Sequence, residues 1–242
     1  CNQYEGGYYT AKEASIIATL FSAVSITFTL VVLDTVGMLD KFGIYYLIVC
    51  LVGIVCAIIC PYLYPLRNKP DTYLVPGKAA PDTLPEGYKN STEYGMDLAL
   101  KRVAQHKGIG EFFASGAKNA CSMWFGVLPT VMAVGTVALI LANHTPIFAW
   151  LGLPFKPLLE LLGVPEAGAV ASTMIVGFTD MLTPAILIAE CASDMARFIV
   201  AVVSVTQVLY LSEVGGLILG SKLPLNIWEL FVIFLERTII SL

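Results

Sequence analysis

Charge is what this chain has least of. Asp, Glu, Lys and Arg make up 13% of its 242 residues, against 57% hydrophobic, and its mean hydropathy is +0.78. Soluble domains carry about 25% charged residues, so the composition excludes an ordinary soluble enzyme and predicts an integral membrane protein. Histidine is scarcer still, with only His106 and His144, which argues against a histidine-based metal centre. The net charge of −4 carries no basic excess for nucleic acid. No Ser–His–Asp set, metal motif or phosphate loop is visible, so no enzyme activity is expected. The cysteines are few and placed in apolar sequence. Cys50, Cys56 and Cys60 share one run and Cys121 borders another. Cys56 and Cys60, four apart, can share a helix face, but no His or carboxylate joins them, which favours membrane-core packing over a metal site.

Long apolar runs are abundant. Residues 14–33 and 42–66 are each long enough to cross a bilayer, and Asp34, Asp40 and Lys41 lie in the turn between them. Ser22, Ser25, Thr27 and Thr29 are read as packing residues. Residues 67–118 change character, holding more than half of the chain's 14 Lys and Arg. The bias of positive charge toward the cytoplasm places this connector inside. Pro70, Pro76, Pro81 and Pro85 make its first half irregular. Residues 92–107 turn helical, with Asp97 and Lys101 one turn apart. A solvated connector is the first reading and a membrane-surface helix the weaker one.

Residues 119–141 read as a further span, and 146–162 as a re-entrant piece too short to cross. Residues 167–189 then form a span broken at Pro184, whose ring crowds the carbonyl of Asp180. Asp180, Thr183, Leu187, Glu190, Asp194 and Arg197 advance by three and four residues, which predicts one helix face with the last three at the inner mouth. Residues 198–211 and 227–240 complete the set, with Glu236 and Arg237 expected to face the cytoplasm. The fold class is therefore all-α: a polytopic membrane protein of about six spans with a re-entrant segment and a broken helix. The expected division is an N-terminal hairpin at 1–66, a cytoplasmic connector at 67–118 and a transmembrane domain at 119–242.

An ionisable group at membrane depth is a functional-site hypothesis by default. The candidate binding set for solute or ion is Asp180 with Thr179 and Thr183, then Gln207 and Glu213, with Asn119 and Ser122 one turn apart in an earlier span. Hydroxyls, an amide and carboxylates suit a small polar solute, with H⁺ or Na⁺ as a coupling ion and no other cofactor. The competing reading of Asp180 is a tucked-in carboxylate beside a proline kink.

Specific strings carry a resemblance. TPIFAWLGLPFKPLLELLGVPEA, VGFTDMLTPAI, RFIVAVVSVTQVLYLSEVGGLILGSKLP and IFLERTIISL together resemble the YjiH-type family of bacterial membrane proteins. FSAVSITFTLVVL and YPLRNKPDTY look like the same family. That family carries the "nucleoside recognition" or Gate domain, which also occurs in spore maturation proteins and ferrous-iron permeases and is distantly similar to concentrative nucleoside transporters. The resemblance implies a secondary transporter, or a transporter subunit, in the bacterial inner membrane, without naming its solute. The alternative it leaves is a non-transporting scaffold or assembly subunit. Family members are longer, so this chain, which starts at Cys1, reads as a portion of a longer protein. A homo-oligomer or a sister Gate-domain protein is expected to supply a second half.

Overall fold

The computed structural model describes residues 2–20, 25–75, 87–104 and 108–122, scattered positions between 123 and 143, and 144–242. The fold is all-α. Among the described residues there is no strand, only an isolated antiparallel bridge between Thr10 and Tyr73.

The first two apolar runs form α2 (Ala11–Leu20), α3 (Ile26–Thr35) and α4 (Phe42–Ile59), after a single turn α1 (Asn2–Glu5). The first run is not one rod: Ser25 is extended, at φ −68° and ψ 125°, and α3 starts afresh after it. A reciprocal capping box starts α2. Thr10 N–H donates to Glu13 Oε2 at 2.8 Å, and Glu13 N–H to Thr10 Oγ1 at 3.1 Å. The apolar helix through α4, Leu39–Tyr62, has 24 residues, with 17% of its apolar window buried. Among the described residues it is the one helix long and apolar enough to cross a membrane. Ile44, Leu47, Leu51, Ile54 and Ile58 leave a broad apolar face of it exposed.

The connector contributes α5 (Ser91–Ala104), which covers most of the expected helical stretch, and α6 (Ile109–Ser122). About half of the expected span at 119–141 lies outside the described residues. The short apolar piece at 146–162 becomes α7 (Ile147–Gly152) and α8 (Lys156–Leu161), joined by one 3-10 turn. It lies tightly on α9 (Ala167–Val176): a Cβ added to Gly152 would sit 2.7 Å from the Ala171 carbonyl oxygen. Only glycine permits that approach.

The remaining helices are α10 (Leu182–Ile188), α11 (Asp194–Thr206), α12 (Val214–Leu219) and α13 (Ile227–Ser241). Three corrections follow. First, residues 167–189 do not make a broken span. Cys191 Sγ, just past α10, lies 3.1 Å from Glu166 Oε2, just before α9. The two helices therefore run antiparallel as a helical hairpin whose tip is 177–181. Second, Pro184 does not make the break. It sits in the first turn of α10, where a missing N–H costs little. Third, the single face running from Asp180 to Arg197 does not exist, because residues 189–193 turn the chain between α10 and α11.

Ion pairs and polar contacts mark the two ends of the bundle. At one end, Lys69 meets Glu229 at 2.7 Å and Lys222 meets Glu5 at 3.7 Å. At the other, Lys41 meets Asp194 at 3.6 Å, and Arg197 Nη1 donates to the Val36 carbonyl at 3.0 Å. Asp194 and Arg197 thus lie opposite the end where the connector begins, not beside it. Glu236 and Arg237 also depart from expectation, since α13 starts at the connector end and carries Arg237 into the core, 1% exposed.

Two apolar clusters fill the interior. Val32, Tyr45, Val170, Ala185 and Val200 belong to the one toward Lys41. Cys56, Ile175, Leu209, Ile218 and Phe234 belong to the one toward Lys69. The hairpin tip and the segment between α11 and α12 meet where these clusters adjoin.

Candidate functional site

Two helical paths are interrupted at the same depth. In the first, Gly-Phe-Thr-Asp stops α9, and Asp180 restarts the helix. Its Oδ2 accepts from Leu182 N–H at 2.9 Å, Thr183 N–H at 3.0 Å and Thr183 Oγ1 at 3.0 Å. These are the bonds of a helix N-cap. Thr179 is buried and turns its hydroxyl back to the Val176 carbonyl at 2.8 Å.

In the second, α11 ends at Thr206 and residues 207–213 turn without helix before α12. Residues 198–211 are therefore not one helix. Leu209 N–H bonds to the Gln207 carbonyl at 2.7 Å, which closes a γ-turn on Val208. Val208 has φ +63°. A buried β-branched residue in the left-handed region costs about 1–3 kcal/mol and persists only where its surroundings fix it. Here the fixing is explicit. Leu211 N–H donates to the Phe178 carbonyl at 2.9 Å, and Ser212 N–H to the Thr179 carbonyl at 3.0 Å. The two breaks are thus stitched together by their backbones.

The last four carbonyls of α11 all find donors. Val203 receives Gln207 N–H at 3.0 Å. The Tyr210 hydroxyl folds back onto the Ser204 carbonyl and, at 2.9 Å, onto that of Val205. Arg237 Nε and Nη2 both reach the Thr206 carbonyl, Nε at 2.8 Å. Neither Tyr210 nor Arg237 was expected at the site. Arg237 had a signal in retrospect, since a lone Arg inside a span is costly and normally has a partner.

Beside the stitched breaks lies a cavity of about 230 Å³. Thr27, Phe28 and Val31 of α3 form one wall, and Asp180, Leu182 and Glu213 the other. Ser212, missed by the sequence reading, donates to Asp180 Oδ1 at 3.3 Å. The structure thus brings Asp180, Thr183 and Glu213 together. It does not bring Gln207 to the cavity. Gln207 is fully buried, with Nε2 donating to the Met174 carbonyl at 3.1 Å and to Thr238 Oγ1 at 2.7 Å. Its Oε1 packs against Gly177, where an added Cβ would lie only 2.2 Å away. Asn119 and Ser122 are on the last turns of α6, but their side chains lie outside the described residues. Among the described residues no three His, Cys, Asp or Glu converge as metal ligands.

No family model matches the chain, and no solved structure matches it. It is similar to an uncharacterized protein of Alkalihalophilus pseudofirmus, with 45% identity over 241 residues, 99% of this chain. The chain spans about half of that relative's length, 52%.

Proposed function

We propose that this chain is the core of a polytopic bacterial inner-membrane protein, a secondary transporter or transporter subunit of the Gate-domain kind. The solute is small and polar, and the cavity between α3 and the two breaks is where it, or a coupling H⁺ or Na⁺, is held. One observation carries the reading: Asp180 and Glu213, contributed by two different interruptions, line one hollow whose opposite wall is the exposed apolar face of α3, with Phe28 and Val31. Non-helical backbone at bilayer depth is tolerated only inside protein or along a cavity, and transporters bind substrate at such interruptions. Asp180 keeps one oxygen on its helix cap and turns the other toward Ser212. That leaves carboxyl oxygens beside the hollow, suited to an amine, a hydroxyl-rich solute or a cation. The uncovered apolar face of α4 supports lipid as its neighbour.

The test is solute flux through purified full chain in liposomes, after a thermal-shift screen of nucleosides, amino acids and small organic acids. Asn caps a helix as well as Asp, so Asp180→Asn is expected to insert and fold normally yet lose flux by at least about tenfold. Undiminished flux in that variant removes Asp180 from the site. No flux for any solute that binds leaves a scaffold or assembly role in its place.

A further inference from the structure

Arg237 is 1% exposed, and among the described residues it has no ion pair. The adjacent carboxylate does not serve it, since Glu236 Oε2 has no hydrogen-bond partner. The guanidinium instead holds backbone oxygens: Thr206 through Nε and Nη2, and Thr19 of α2 through Nη1 at 3.5 Å. Thr206 closes α11, so its carbonyl sits at the negative end of the helix dipole. At interrupted helices of transporters, such C-terminal carbonyls are where Na⁺ is commonly held.

We propose that Arg237 is a tethered cation occupying the place of a metal ion at the end of α11, so that this break is held closed without Na⁺. The chemistry fits. A buried positive charge without a carboxylate is costly, and the terminal peptide dipoles are what offset it here. The remaining terminal carbonyls each already accept from Gln207 N–H or the Tyr210 hydroxyl. Arg237 is therefore a positioning residue. It keeps Thr206 and the γ-turn in register, so that Ser212 and Glu213 reach the Asp180 cavity. Only the flux arm of the test depends on the transporter reading.

The experiment compares purified wild type, Arg237→Lys and Arg237→Ser in sodium, choline and low-millimolar guanidinium buffers of equal ionic strength. Wild type is expected to melt at the same temperature in all three. Arg237→Ser should melt lower and recover by a saturable shift of several degrees with guanidinium or Na⁺, but not with choline. Arg237→Lys keeps the charge and should remain insensitive to the ions. In the flux arm, Arg237→Ser should fall below wild type in choline and regain flux where guanidinium restores the melting temperature. A serine variant that no cation rescues overturns the proposal. So does equal loss of folded protein in Lys and Ser, which assigns the role to shape rather than charge. Absence of flux in every sample refutes the transporter reading and leaves the melting result to decide Arg237.

Discussion

The two interruptions differ in who satisfies the broken ends. The α11 break is finished from within. Its last four carbonyls take a backbone N–H, a tyrosine hydroxyl and a guanidinium, all in the core. The α9–α10 break is finished on one side only. Its carboxylate caps α10, yet it borders a cavity with its second oxygen turned toward Ser212. An interruption whose end carbonyls are all paired is a structural joint, even though Gln207 Oε1 beside this one is buried without a hydrogen-bond partner. One whose charged group keeps a face on a hollow has capacity left for a ligand. The difference separates positions where mutation should cost folding from positions where it should cost function.

The sharpest way to break this contrast, after the Arg237 variants, is at the point where the two joints touch. Gly177→Ala places a methyl against Gln207 Oε1 and should destabilise the protein by about 2 kcal/mol through overpacking. Denaturant melts in detergent would measure this, and an unchanged midpoint would mean that the tip readily moves away. A smaller loss, about 1 to 2 kcal/mol, is expected for Tyr210→Phe, which strips the hydroxyl from two α11 carbonyls. Hydrogen exchange should then accelerate at the end of α11 and not in α10. Acceleration in both would merge the two joints into one unit.

The smallest effect lies in the connector and serves as a control. Lys101, and after it Tyr88, hold the carboxyl of Asp97 below the usual carboxylate range, while Asp97 holds the Lys101 ammonium above its own. The support Asp97 gives α5 is therefore full above the ordinary Asp range and disappears as pH falls through its lowered value. Exchange protection across Ser91–Ala104, corrected for intrinsic rates, should fall modestly in acid and be flat near neutrality. Lys101 is exposed and Asp97 half-buried at the surface, so added salt should mask the change. A pH response confined to residues 177–213 would instead locate the titrating group at the breaks.

Much of this was legible from one-dimensional pattern. The apolar run at 42–59 and the helix beginning near residue 91 follow from periodicity and length. Asp180 and Glu213 were findable because ionisable groups in apolar sequence are expensive. The break itself was misplaced at Pro184. Proline is the stronger signal in a string, but Thr-Asp followed by Pro also reads as a capped helix start, and the structure follows that reading. Gln207 was assigned to the cavity by its type. Its direction depends on Thr238 and Met174, more than thirty residues away in opposite directions, and no local rule reports that.

Pattern and composition alone determined that the protein is all-α, because long apolar runs separated by short turn sequences read as helices. Tertiary structure decided that α10 folds back along α9, that Arg237 lies inside and not at a rim, and that two acids from separate segments share one hollow. Those outcomes rest on contacts between distant segments, such as Glu166 with Cys191 and Thr206 with Arg237. Their energies depend on packing that no single stretch of residues contains.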